Sequence, residues 1–151
     1  MTHCSVGRTT PWALLRDNAG VGVAAWSPRL KSSRGLTGYV KVPTAVRALW
    51  DFQYANTNQF YDIMEIEAIG PAVLLHNWEW LFRHSLWIHF IDNDSSMFSL
   101  IKGSSSVLAA DTIVGFTWQR ICDLRALAWF DRVDSLSNPV DGLSRGRLDG
   151  P

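Results

Sequence analysis

The sequence predicts one α/β domain built on a mixed five-stranded sheet that is flanked by helices. Its 151 residues are the usual length of a single domain, and 47% of them are hydrophobic, which is enough for a packed core. Short apolar runs fill the first third of the chain, and longer segments with helical spacing follow. A nearly all-apolar run, Leu86–Ile91, stands between two helical segments and is expected to pair in parallel with another strand. Apart from a short helix that is considered below for residues 45–50, the predicted order is β-β-β-α-β-α-α-β.

The first third of the chain predicts three short antiparallel strands after a lead-in over residues 1–11. Each run ends at residues that are typical of turns or loops. A short helix is predicted next, around Ala45–Trp50. The three strands are expected at residues 12–16, 21–26 and 36–42.

A long helix is predicted from Gln59 to Leu81. We expect a kink or a delayed start at Gly70-Pro71, because proline lacks the N–H that a helix interior needs. Leu86–Ile91 then predicts a strand that is buried on both faces, as is usual in parallel sheets.

The second half of the chain completes the predicted fold with a short helix, a long helix and a strand. The short helix is capped by Ser95 or Ser96 and ends near Lys102-Gly103. A helix over 108–124 and a strand over 126–133 follow, the domain ends at residue 146, and residues 147–151 are a tail. The expected core residues of the long helix are Leu108, Ile113, Phe116, Ile121 and Leu124.

The two parts of the chain carry opposite net charges. Residues 1–50 contain seven Lys or Arg and one acid, and residues 51–151 contain seven Lys or Arg and thirteen acids, which gives +6 and −6. This asymmetry favours a protein that binds a polyanion on one side and metal ions on the other. The alternative is that the two halves simply attract each other within the fold. The candidate phosphate contacts are Arg29, Lys31, Arg34 and Lys41, whose alternative role is ordinary solvated surface.

Several classes of protein are disfavoured. The two cysteines, Cys4 and Cys122, cannot complete a four-ligand zinc site. The N-terminal residues contain no apolar signal segment, and the longest apolar stretch, residues 71–91, contains charged residues and histidines, so neither secretion nor a membrane span is expected. The sequence contains no Gly-rich phosphate loop with the spacing of an NTPase. An intracellular protein, cytoplasmic or nuclear, is predicted.

Four acids stand where they could meet at one edge of the predicted sheet. Asp17 and Asp92 each follow a predicted strand, Glu67 lies in the long helix, and Asp141 follows the last strand. Carboxylates gathered in this way repel each other unless cations lie between them, and oxygen ligands favour Mg²⁺ or Mn²⁺. Two such ions about 4 Å apart can promote hydrolysis of a phosphodiester. The alternative is that these acids are solvated turn residues.

The segments around these acids also resemble a known pattern. They are Asp17-Asn18-Ala19-Gly20-Val21-Gly22, the helical Glu67, Ile91-Asp92-Asn93-Asp94-Ser95, and Asn138-Pro139-Val140-Asp141-Gly142-Leu143-Ser144-Arg145. Over residues 12–146 the chain thereby resembles the ribonuclease H domain that is attached to the reverse transcriptases of retroelements. The terminal Asn-Pro-x-Asp-x-x-Ser-Arg run is the most specific of these segments.

The resemblance implies an RNase H-like fold and cleavage of the RNA strand of an RNA–DNA hybrid, with Mg²⁺ or Mn²⁺ as cofactor. It assigns Asp92 and Asp17 to bridge two ions. It assigns Glu67 to hold one ion and orient the attacking water, and Asp141 to complete the second ion site. The implied partners are the hybrid and a reverse transcriptase domain, with no membrane.

Three alternatives stay open. Glu65 could replace Glu67. Side chains that are two positions apart on a helix point about 200° apart, so only one of these two glutamates can face the site. Glu67 is preferred because it lies one turn before Gly70-Pro71. Asp94 is either a supporting acid or a helix N-cap. The domain as a whole could also be a catalytically inactive RNase H-like remnant or an interaction module.

Overall fold

The computed structural model describes residues 20–31, 35–54 and 63–140 of the chain. The lead-in, the predicted strand at 12–16 and the tail lie outside these ranges, as do Asp17, Arg34 and Asp141. The described residues form a mixed α/β structure with one antiparallel and one parallel pair of strands. Its elements are β1 (Gly20–Ala25), β2 (Leu36–Lys41), α1 (Thr44–Tyr54), α2 (Ile63–Asn77), α3 (Glu79–Phe82), β3 (Leu86–Ile91), α4 (Asp94–Lys102), α5 (Leu108–Asp123) and β4 (Leu127–Arg132).

The antiparallel pair confirms the second and third predicted strands to within one residue at each end. β1 pairs with β2 so that Gly20 lies opposite Lys41 and Ala25 opposite Leu36. Alternate residues of β1 are buried and join the main core, which is the period-2 pattern of a half-buried strand. Gly20 lies under the ring of Tyr39, where an added Cβ would be 2.3 Å from the tyrosine Oη, so a larger residue here would displace that ring.

Helix α1 contains the short helix that was predicted around Ala45–Trp50. Helix α2 begins before Gly70-Pro71 and contains Pro71, so a start delayed to the proline is wrong, and it ends at Asn77 instead of Leu81, with the separate helix α3 after it. A proline inside a helix costs about 3 kcal/mol. Here, however, Ala68 and Leu75 are completely buried and Leu74 is almost so, and the main hydrophobic core includes both leucines. Tertiary packing of α2 therefore outweighs the loss of one helical hydrogen bond.

The parallel pair confirms the predicted strand Leu86–Ile91 and the strand predicted over 126–133. β3 and β4 pair in register from Leu86 opposite Leu127 to Ile91 opposite Arg132. The expectation that β3 is buried on both faces is wrong. Trp87, Ile91 and Phe130 join a core shared with the helices, whereas the other face of the pair is exposed. That exposed face carries Leu86, Ile88, Phe90, Leu127 and Trp129.

Helices α4 and α5 lie where the sequence predicted them, but their caps and core residues differ in detail. The N-cap of α4 is Asn93, not Ser95, Ser96 or Asp94. Gly103 ends α4 in the left-handed conformation (φ 77°), as its glycine predicted. In α5, Ile121 and the following Leu124 are buried as expected. Leu108 and Phe116 are exposed, and Val114 and Thr117 are buried instead.

Candidate functional site

The carboxyl end of the parallel strand pair carries Asp92, one of the four predicted metal ligands. β3 ends at Ile91, and the backbone N–H of Val133 donates to the Ile91 carbonyl at 3.0 Å, which continues the pairing one step beyond β4. Asp92 therefore follows directly from a strand end that is fixed by its neighbour. Its side chain is partly exposed, so it can reach a solvent-borne ligand.

Asn138, from the terminal motif, contacts Asp92. A 3₁₀ turn over Ser135–Ser137 reverses the chain after β4, and the side chain of Asp134 caps it by accepting from the Leu136 N–H at 2.9 Å. The reversed chain carries Asn138 to the end of β3, where its Nδ2 donates to Asp92 Oδ2 at 2.9 Å. Two of the segments that carry the resemblance, 46 residues apart in the chain, thus meet in the structure.

Asp94, two residues later, has a different environment. Its carboxylate forms an ion pair with the guanidinium of Arg132, the last residue of β4. Asp94 is the first residue of α4, and the preceding Asn93 accepts from the Ser96 N–H at 3.0 Å as the cap. The ion pair links the start of α4 to the end of β4, so the contact that Asp94 makes is a structural one.

Helix α2 runs with its N-terminal end toward Asp92. The buried Ser96, in the first turn of α4, donates its hydroxyl to the carbonyl of Met64 at 2.7 Å, which ties the start of α2 to the start of α4. Further along α2, a Cβ at Gly70 would lie 3.6 Å from Val21 Cγ1 and 4.0 Å from His89 Nε2. Gly70 of α2 therefore lies close to side chains of both β1 and β3.

This orientation separates the two candidate glutamates of α2. Glu67 lies one turn before Gly70, about 4.5 Å along the axis and within about 60° of it around the helix, so it is on the side that faces the strands. Glu65 points about 140° away from Gly70. Its side chain is only 2% exposed, so it is buried on another side of α2. Glu67, and not Glu65, therefore shares a side of α2 with Gly70.

The basic residues that were predicted to contact phosphate have two different environments: Arg29 binds backbone carbonyls, whereas Lys31 and Lys41 are exposed. The guanidinium of Arg29 donates to the carbonyl oxygens of Leu81 (3.1 Å), Arg83 (3.0 Å) and His84 (3.4 Å). These carbonyls are at the end of α3, where a cation is favourable. The exposed Lys31 and Lys41 remain accessible to solvent.

His89 lies in β3, three residues before Asp92, on the same face of the strand as Trp87. Its ring packs edge-on against Trp87 (centroids 5.3 Å apart) and Phe130 (6.1 Å). Burial among these apolar groups lowers the pKa of His89 to about 4, because the charged imidazolium loses its hydration. The neutral ring is therefore a packing element of the sheet at pH 7.

Within the part of the chain that the structure describes, no group of three or more His, Cys, Asp or Glu side chains is close enough to hold a metal ion. Asp92 and Glu67 are two of the four predicted ligands, and their carboxylate oxygens are the donors that Mg²⁺ and Mn²⁺ prefer. No role was predicted for Asn138 from the sequence, although it is the first residue of the terminal Asn-Pro-x-Asp-x-x-Ser-Arg motif.

No helix among the described residues is long and apolar enough to span a membrane. Comparison with known proteins gave no match to a family model, to a curated protein or to a solved structure.

Proposed function

We propose that this chain is a metal-dependent ribonuclease H that cleaves the RNA strand of RNA–DNA hybrids, derived from a retroelement. The observation that carries the proposal is the hydrogen bond between Asn138 and Asp92. The terminal motif and the acid after β3 were assigned to one site from the sequence resemblance alone. A contact between them is what that assignment requires, and nothing in their spacing along the chain demands it.

The proposed fold is a five-stranded RNase H-like sheet in which the predicted strand at 12–16 joins the two strand pairs. Among the described residues, β1 pairs only with β2, and β3 only with β4. Helix α2 packs across both pairs at Gly70, so both lie on one side of the same helix. A strand between β1 and β3 would end at Asp17 and deliver that acid to the sheet edge.

In the proposed mechanism the four acids divide the work of holding the cations. Asp92 and Asp17 would each be shared between the two ions, Glu67 would hold one of them and orient the attacking water, and Asp141 would complete the second site. The Mg²⁺ or Mn²⁺ ions would supply Lewis-acid chemistry for hydrolysis of the phosphodiester.

The hybrid is held through its phosphates rather than its bases. Lys31 and Lys41 are exposed and, with Arg34, are proposed to contact the backbone, which gives salt-dependent binding without sequence preference. Arg29, whose guanidinium binds carbonyls at the end of α3, is assigned to fix the loop that carries Lys31. The domain would act in the cytoplasm or nucleus beside a reverse transcriptase domain.

The proposal is tested with a hybrid that carries a labelled RNA strand, incubated with Mg²⁺ or Mn²⁺. We expect cleavage by the native chain and loss of cleavage in Asp92→Asn. The matched control is Asp123→Asn, which makes the same change at the exposed end of α5 and should retain activity. Loss in Glu67→Gln with activity kept in Glu65→Gln would identify the helical acid. A well-folded native chain that cleaves no hybrid with either metal would overturn the enzymatic proposal.

The second candidate function is a catalytically inactive RNase H-like module. It is favoured by the absence, among the described residues, of a complete metal-binding cluster. A calorimetric titration distinguishes the two candidates, because the inactive module binds no divalent cation and the enzyme does.

A further inference from the structure

The outer face of the parallel strand pair is apolar and exposed. Residues of this face alternate along each strand with the residues that pack against the helices. Its five apolar side chains are between 57% and 75% exposed. The register of the pair sets the outer face in three rows, which are Leu86 with Leu127, Ile88 with Trp129, and Phe90 with Asp131.

The outer face is large enough to form a stable interface between proteins. A large apolar side chain has about 200 Å² of surface, so the five together leave roughly 650 Å² uncovered at these exposed fractions. The largest apolar patch on a typical monomer covers about 300–600 Å², and larger patches mark interaction sites. Two outer faces packed together would bury about 1,300 Å², which is within the range of about 1,200–2,000 Å² for specific interfaces.

The charges at the two ends of the outer face make it complementary to itself. Asp131 is exposed at the carboxyl end of β4, and Arg125 is exposed just before the strand begins. None of the ion pairs among the described residues involves either of them. Ala128 is midway between the two in the sequence. A two-fold axis at the level of Ala128, perpendicular to the strands, would bring Arg125 of each copy close to Asp131 of the other.

The same axis also matches apolar rows with apolar rows. It sets Leu127 of one copy opposite Trp129 of the other, and Leu86 opposite Ile88. In a two-fold interface each of these contacts occurs twice, so a single face supplies both surfaces.

We infer that the outer face is the interface of a homodimer, in which two parallel strand pairs pack face to face with their strands antiparallel. Sheets that pack in this way lie about 10 Å apart, and their side chains interdigitate. A second copy of the chain is the occupant because it carries both the apolar surface and the opposite charges that the face requires. The inference uses no residue of the proposed nuclease site and does not depend on that activity.

The test measures the mass of the native chain by sedimentation equilibrium over a range of concentrations. We expect a dimer, and we expect Ile88→Lys to raise its dissociation constant at least about 100-fold, because the symmetry places two like charges at the apolar centre of the interface. The matched control is Ile101→Lys, which makes the same change in α4 at a residue that is 52% exposed, and it should dimerise like the native chain.

Reversal of the terminal charges tests the orientation of the two copies. Asp131→Lys and Arg125→Glu should each weaken the dimer about 10-fold, because each sets like charges opposite one another at two places. The double variant restores opposite charges and should return close to native affinity. A double variant that dimerises no better than the single variants would overturn the antiparallel arrangement.

The homodimer itself is refuted by either of two results. One is a native chain that stays monomeric at every concentration, and the other is a dimer that Ile88→Lys leaves intact. A monomeric native chain that Ile88→Lys destabilises in urea titrations would place another segment of the same chain on the outer face, and this result would overturn the inference as well.

Discussion

The buried imidazole of His89 predicts a loss of stability in mild acid. Its pKa is lowered from 6.5 to about 4 in the folded chain, so on acidification the unfolded chain takes up this proton first. The stabilising effect is complete above the unfolded value and is lost as the pH falls from 6.5 toward 4. The free energy of unfolding at about pH 5 is therefore about 2 kcal/mol lower than at about pH 7.5, because the unfolded chain binds this proton more tightly than the folded chain.

His89→Leu isolates this contribution, because leucine has a similar volume and suits the contacts with Trp87 and Phe130. The free energy of unfolding is measured by urea titration with tryptophan fluorescence at about pH 7.5 and about pH 5. The native chain should lose about 2 kcal/mol more than His89→Leu between these conditions, since all other titrating groups are common to both. The control His76→Gln removes an exposed histidine and should keep the full difference. Equal losses in the native chain and His89→Leu would refute the reasoning.

Three further substitutions test contacts that position the site. Arg29→Ala should lower the unfolding free energy by about 2 kcal/mol in urea titrations, since a charged donor to three carbonyls is lost; unchanged stability with weaker hybrid binding would instead make Arg29 a phosphate contact. Ser96→Ala should cost about 1–2 kcal/mol by the same measurement, because the Met64 carbonyl loses its buried donor, and a neutral effect would count against the tie between α2 and α4. Gly103→Ala should cost about 1 kcal/mol because alanine is strained at φ 77°, and a thermal midpoint equal to that of the native chain would contradict this.

The sequence predicted the described elements well where the signal is local. Alternating residues located β1 and β2, the apolar run located β3, and Gly103 marked the end of α4. Each of these signals comes from residues that are close in the sequence and that set the local backbone preference or pattern of burial. The strand ends therefore differ from their predictions by only one residue.

Errors arose where distant packing decides. Gly70-Pro71 predicted a kink or a delayed start, but the buried helix α2 already begins at Ile63. The run Leu86–Ile91 predicted burial on two faces, although one face of the strand pair is exposed. The cap of α4 was also misassigned, because Asn93, Ser95 and Asp94 are all good capping residues and only the geometry of the chain leaving β3 selects Asn93.

The candidate site was predicted as a set of acids, but the structure adds how one of them is held. Asp92 was expected from its place after a strand, and Glu67 was preferred over Glu65 from its distance to Gly70. The contact of Asn138 with Asp92 could not be predicted, because it depends on a 3₁₀ turn that reverses the chain after β4.

The most direct test of the proposed metal site is a crystal structure of the chain grown with Mn²⁺, in which anomalous scattering locates the ions. The account predicts Mn²⁺ at the carboxyl end of β3, bound by Asp92 together with Asp17, Glu67 and Asp141, with Asn138 still donating to Asp92. A structure at saturating Mn²⁺ with no ion at Asp92, or with Asp17 far from it, would contradict the account.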